Sequence, residues 1–354
     1  MPGVYISYPF CAQKCTYCNF ASGVLPRALE PQYIAALTRE IESTTWPFTP
    51  ETVYFGGGTP SNIAPADLAD LMRLIPGAPF AEATLEAAPG NITPELAQAW
   101  AAAGINRVSL GVQSFIKAEL ARTGRKHTAE IVQREIATLR DAGLTNFNID
   151  LIAGLPGQTP ASWSESLDWI DRLEAPHVSI YMLEIDEDSR LGAEVIAFGQ
   201  RYGAPDIPTD DQIADLYETA VERLTAIGIP RYEISNFARP GFESVHNTKY
   251  WTREPYLGFG ADAHGFDGRD RSQNTERAED YIVNPAPERT PADPRGERFF
   301  LGLRLMRGIE PPFEPFTSKI RKLIADGLLE LVDNRLRLTP RGVLLSNEVF
   351  SEFV

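Results

Sequence analysis

Apolar residues along this chain come in short runs, separated by longer stretches in which they recur three and four positions apart. The runs Val4–Pro9, Val53–Gly57, Thr84–Ala88, Arg107–Val112, Asn146–Ile152, His177–Leu183 and Arg231–Ser235 predict strands. Between them Pro31–Thr45, Pro65–Ile75, Pro94–Ala103, Ala129–Ala142, Pro160–Leu173 and Asp210–Ile227 predict helices. Most strands start roughly 25 to 40 residues after the last, which suits repeated β-α units. Thr93-Pro94 and Thr159-Pro160 put a capping hydroxyl before a proline at a first helical turn. Gly104, Gly143 and Gly228 fall where helices should stop. Six or seven such units predict an α/β fold whose parallel sheet curls as a barrel or part-barrel. Ligands of such folds bind at the C-terminal ends of the strands.

The pattern changes near residue 284. Residues 284–296, rich in proline and charge, read as a linker after a core of residues 1–283. In the remaining segment, 297–354, Phe316–Ala325 predicts a helix, and Leu328–Val332 and Arg335–Leu338 flank Asp333-Asn334 as a hairpin. Pro340–Phe350 predicts another helix. Helix, hairpin, helix resembles part of a winged-helix α+β domain. From Phe313 onward its six basic side chains are matched by six acidic ones. That composition has no basic face, so packing or partner docking is expected rather than DNA binding.

Composition narrows the class. With 354 residues, 43% hydrophobic and 23% charged, the chain is long enough for one large domain plus a small one. No apolar stretch reaches the length of about 18 residues that a membrane span needs. Peripheral membrane contact stays open. The first ten residues read as a strand, not a signal peptide, and a cytoplasmic protein is expected. A net charge of −15 disfavours nucleic acid as a partner.

The cysteines carry the strongest chemical signal. All three in the chain, Cys11, Cys15 and Cys18, fall in one C-x-x-x-C-x-x-C run after the first strand. An odd number does not make a disulfide framework. Three close thiolates can hold three corners of a [4Fe-4S] cluster and leave one iron open to a substrate. A Cys3His zinc site is the alternative, although the nearest histidine in sequence is His127. Three unrelated buried cysteines would rarely fall this close together.

Other polar residues sit at predicted strand ends on the same face. Gly56-Gly57-Gly58-Thr59-Pro60 can bring backbone N–H groups and a hydroxyl close to a polar ligand, or be a tightly packed turn. Glu86 suits a ribose or an ammonium group, or is a solvated rim charge. Asp150 interrupts an apolar strand, so it is functional or paired with a group such as Arg107 or Arg125.

With these residues in place, the chain resembles the radical S-adenosylmethionine (SAM) superfamily, and within it the coproporphyrinogen III dehydrogenase-like branch. Tyr5–Cys11, the cysteine cluster, GGGTP, GVQSF, NIDLIAGLPGQT and YEISNFA (Tyr232–Ala238) carry the likeness over most of the chain. It implies a partial (β/α)6 TIM-like barrel. It also implies that Cys11, Cys15 and Cys18 bind a [4Fe-4S] cluster, whose open iron chelates SAM and whose electron cleaves the sulfonium. Tyr5, Tyr17, Gly57, Gly58, Thr59 and Glu86 match SAM-contacting positions. Gln113, Arg125 and Asp150 match positions that contact a second SAM in the porphyrinogen enzyme.

Two readings compete within the branch, the dehydrogenase and the heme chaperone type, HemW. Phe20 stands where the dehydrogenases carry a fourth cysteine, and only ten residues precede Cys11 where they carry a longer extension. His246-Asn247-Thr248-Lys249-Tyr250-Trp251 matches the H-N-x-x-Y-W motif of the chaperone type. An imidazole can ligate heme iron, and Tyr250 and Trp251 offer flat apolar faces to a macrocycle. Without the likeness, the same run reads as a loop histidine with two core aromatics. The chaperone reading implies that His246, Asn247, Tyr250 and Trp251 bind heme, for delivery to apo-proteins such as respiratory cytochromes. A radical SAM enzyme acting on another substrate is the third possibility. Asp262 replaces a glycine of the family's G-x-G-P-G-A-H pattern, and Arg307–Lys319 is short; the first puts the local backbone turn in doubt.

Overall fold

The computed structural model describes residues 2–19 and 21–354, so Phe20 lies outside the described residues. Six strands alternate with helices along the first half of the chain: β1 Gly3–Tyr8, β2 Thr52–Gly57, β3 Glu82–Ala87, β4 Arg107–Gln113, β5 Asn146–Ala153 and β6 His177–Met182. Each pairs in parallel with the next. Five more strands extend the sheet: β7 Asn236–Ala238, β8 Tyr256–Phe259, β9 His264–Phe266, β10 Asp270–Gln273 and β11 Glu288–Pro291. Among the described residues the order is β11-β10-β9-β8-β1-β2-β3-β4-β5-β6-β7. The ends do not meet, so the architecture is an α/β partial (β/α)6 barrel, TIM-like and open.

The strand alternation explains what lies inside. Val108, Leu110 and Val112 of β4, Phe147, Ile149 and Leu151 of β5, and Val178 and Ile180 of β6 are buried in the apolar core. The intervening residues belong to the opposite face of the strands. There Asn148 donates to Ser109 Oγ at 2.7 Å and to Ser179 Oγ at 2.9 Å, while His177 Nδ1 meets Asn148 Oδ1 at 2.7 Å. The barrel interior is thus polar and hydrogen-bonded.

One predicted strand is not formed. Arg231–Ser235 makes a tight turn, with Tyr232 N–H donating to Asn236 O at 3.0 Å. The strand follows it, and β7 runs antiparallel to β6 with Ala238 opposite His177. Residues 284–296 carry β11, which pairs antiparallel with β10, and the start of a helix, Pro294–Gly302. The C-terminal segment has a helix, Thr317–Ala325, and a hairpin of β12 Leu329–Val332 and β13 Arg335–Leu338. Asp333 (φ 48°) and Asn334 (φ 62°) take the left-handed turn such hairpins favour. Two short helices, Pro340–Leu344 and Ser346–Ser351, follow. Among the described residues no helix is long and apolar enough to cross a membrane.

Candidate functional site

The cysteine loop leaves β1 at the C-terminal mouth of the barrel. Cys11 N–H donates to Gly23 O at 2.9 Å, Thr16 N–H to Thr123 O at 3.3 Å, and Leu191 N–H to Thr16 O at 2.8 Å. The loop is therefore tied to segments beyond β4 and β6. All three thiols are free and partly exposed. Burial pushes the Cys11 thiol up, against hydrogen bonds from Ser22 and Thr59. Among the described residues no three His, Cys, Asp or Glu side chains are grouped as a metal ion would hold them. The donor set nevertheless fits an iron–sulfur cluster: three unpaired thiols on one short loop, with no other metal-binding side chain between them.

GGGTP docks on the start of that loop. Gly58 N–H donates to Tyr8 O at 2.7 Å and Thr59 N–H to Phe10 O at 3.0 Å. A Cβ on Gly58 would lie 2.7 Å from Phe10 O, so only glycine permits this approach. Gly57 (φ 107°) turns its N–H toward Glu86 Oε2 at 3.2 Å. Tyr5, Ser7, Ser22, Gly57 and Asp262 then line a cavity of about 280 Å³.

Across the mouth runs a row of polar side chains. Glu86 also accepts from Tyr54 Oη at 2.8 Å; burial and the neighbouring Asp150 charge raise its pKa to about 7. A Cβ on Gly111 would meet Gln113 Nε2 at 3.1 Å and Arg125 at 3.4 Å, so those two converge above it. Asp150 sits beside Gly111 in register. Neither Arg107 nor Arg125 forms an ion pair with it. Its partners are Asn148 Nδ2 at 2.7 Å and Ser109 Oγ at 3.3 Å, and burial raises its pKa. Arg125 instead faces the Tyr17 hydroxyl and the Cys15 thiol. Burial opposes its charge, but those neighbours outweigh it and hold its pKa above the ordinary value.

The H-N-x-x-Y-W run forms a helix, Val245–Trp251, held by its N-terminus. Glu82 of β3 accepts from Ser244 Oγ at 3.1 Å, Val245 N–H at 2.8 Å and His246 N–H at 3.0 Å. Arg107 Nε lies 4.0 Å from the same buried carboxylate. His246 is fully buried, with Nδ1 2.8 Å from Thr52 Oγ1 and Nε2 2.7 Å from Tyr250 Oη. Both ring nitrogens are therefore engaged, and an axial role in heme ligation would cost one of these two bonds and require the buried ring to be uncovered. Burial lowers its pKa to about 3, helped by Lys249 and Arg107. Asn247 is half-buried and its N–H donates to Ser244 Oγ at 3.2 Å.

Tyr250 and Trp251 line a second cavity of about 470 Å³, together with Tyr5, Tyr256, Asp262 and His264. The Trp251 indole N–H has no hydrogen-bond partner. Tyr5 and Asp262 border both cavities. Asp262 keeps the left-handed backbone (φ 56°) that a glycine takes without strain, and accepts from Gln273 Nε2 at 2.8 Å. Sequence reasoning noted the 258–264 segment only as a departure and did not place Asp262 or His264 in a site. The histidine that ends the 258–264 motif was the signal available.

Residues 5–170 match the family model of the radical SAM superfamily, and residues 290–345 match that of the HemN C-terminal domain. Heme chaperone HemW of Bacillus subtilis (strain 168) is 34% identical, over 100% of this chain and 99% of its own length. Heme chaperone HemW of Escherichia coli (strain K12) is 33% identical over 93% of this chain and 85% of its own. The solved structure of the Escherichia coli radical SAM enzyme coproporphyrinogen III oxidase (HemN) superposes with a TM-score of 0.83. It has 24% identity over 99% of this chain and 89% of that one, a likeness of fold. Full-length similarity and the matched models together place this chain in the radical SAM superfamily, as a member of the HemW family.

Proposed function

We propose that this protein is a heme chaperone that binds a [4Fe-4S] cluster, SAM and heme and passes heme to apo-proteins in the cytoplasm, respiratory cytochromes among them. The observation that carries the reading is the aromatic cavity of Tyr250 and Trp251, which shares Tyr5 and Asp262 with the cavity beside the cysteine loop. Its volume of about 470 Å³ is in the range of small-molecule sites. Its aromatic walls suit a flat macrocycle.

Cys11, Cys15 and Cys18 would hold the cluster, which when bound would supply an open iron for SAM and, once reduced from outside, one electron. The residues around it position and shield. Tyr5 walls off the first cavity, while Tyr17 and Arg125 flank Cys15. Gly57, Gly58 and Thr59 keep backbone polar groups at the mouth, and Glu86, Gln113 and Asp150 offer hydrogen-bonding groups across it. In the heme site Tyr250 and Trp251 form walls, and His246 and Asn247 belong to the helix that presents them.

Anaerobic heme titration with and without the reconstituted cluster, followed by transfer to an apo-cytochrome, tests the reading. Uptake with a Soret band and transfer are expected. A protein that takes up no heme refutes it.

A further inference from the structure

The chain has four histidines. His127, His177 and His246 are buried and hydrogen-bonded through their rings. His264, at the start of β9, is different. Its side chain is 61% exposed, it borders the 470 Å³ cavity, and no hydrogen bond engages its ring. The nearest charged group is Asp262 Oδ1, 4.0 Å from its Nε2. Metal-bound histidines commonly donate their second ring N–H to a carboxylate, and at 4.0 Å Asp262 is the carboxylate placed to take that role when the ring turns toward iron.

The walls around His264 make the same point. Tyr250 and Tyr256 meet edge to face at 4.6 Å between centroids, and Trp251 continues that surface. Arg271 lies on the rim, paired with Glu297 at 2.9 Å. Aromatic faces and one free imidazole are the chemistry that a metal-bearing flat macrocycle requires, with the Arg271–Glu297 ion pair at the rim.

We infer that His264, not His246, is the imidazole that ligates iron when heme occupies the cavity between the helix Val245–Trp251 and β9. The inference rests on the heme-chaperone reading above. It assigns His246 a positioning role, holding Tyr250 from behind.

Hemin titration of the purified full chain, followed by absorbance, separates the two assignments. The unaltered protein is expected to show the spectrum of an imidazole-ligated heme. His264→Ala should lose that signature, with at least a tenfold rise in Kd, and added free imidazole should restore it. His264→Met should keep bound heme but shift the spectrum toward a thioether ligand. His246→Ala should retain the imidazole signature. Because His264 is exposed, its variants should show the circular dichroism of the parent. An unchanged spectrum and Kd in His264→Ala overturns the assignment while leaving heme binding intact. No heme uptake by the unaltered protein takes down both this inference and the function it rests on.

Discussion

His246 and Tyr250 stand one helical turn apart, and imidazole Nε2 and phenol oxygen meet at 2.7 Å while Nδ1 reaches back to Thr52 on β2. The imidazole therefore pins the helix of the H-N-x-x-Y-W run to the sheet. His246→Ala leaves two buried hydroxyls without their partner. Each such loss costs about 1–3 kcal/mol, so a loss of about 2–6 kcal/mol in unfolding free energy is expected by urea denaturation. An unchanged midpoint would show that the ring is not a structural fastener.

Acid should expose the same histidine. Its pKa in the fold is about 3 and that of His127 about 4, where burial is again the chief cause. An unfolded chain protonates both near 6.5. Their neutral, buried forms therefore contribute stability that is full above pH 6.5 and shrinks as pH falls toward 4 and 3. The slope is at most about 1.4 kcal/mol per pH unit for each group. His246→Gln should lessen the drop in unfolding free energy between pH 6.5 and 4.5.

Glu86 should act in the opposite sense. Its raised pKa, about 7, means that the fold prefers the protonated acid. Stability is lost as pH rises from the ordinary carboxylate value of about 4.5 toward 7. Glu86→Gln should flatten that part of the curve and, at pH 7, weaken SAM binding about tenfold by isothermal titration. A variant with unchanged SAM affinity would remove Glu86 from the ligand site.

Glu82 holds three donors at the start of the helix Val245–Trp251 and lies beside buried Arg107. Glu82→Ala strands a buried cation and uncaps the helix. A loss of about 3–5 kcal/mol is expected, among the largest for any single change outside the apolar core. Near-ultraviolet circular dichroism should report the loosened Tyr250 and Trp251.

Reconstitution under anaerobic conditions should give about four irons per chain and a brown chromophore. Cys15→Ala should yield neither. Closing three thiols on a cluster requires residues 11–18 to draw together, so hydrogen exchange in that loop should slow on loading. Stoichiometric zinc in a colourless protein would instead favour a zinc site.

The parallel strands were legible because each apolar run is bounded by glycine or proline and followed by a helix of the right length. Among them, β1, β2 and β4 to β6 begin and end within a residue of where the apolar pattern puts them. β8 to β11 were not legible. They are only three or four residues long, and Asp270–Gln273 and Glu288–Pro291 are polar throughout, so neither alternation nor a hydrophobic run marks them. Arg231–Ser235 misled because Tyr232 and Ile234 alternate with polar residues as a strand's would, although the segment makes a turn. The cysteine loop, GGGTP and the strand-end polar residues were legible from spacing and likeness. The burial of His246 was not: an i, i+4 spacing places it beside Tyr250, but cannot say whether that face meets a ligand or a strand. His264 went unplaced because its setting depends on β8 and β9, which the pattern does not reveal.

β8 lies parallel beside β1, with Gly3 opposite Tyr256, so one wall of the aromatic cavity is built from residues roughly 250 positions apart in the chain. During synthesis the cysteine loop emerges among the first residues, yet Trp251, Tyr256 and His264 follow only after seven strands have been made. The cysteine loop has its supports once Thr123 and Leu191 are made, and the aromatic cavity is complete only when β8 and β9 follow.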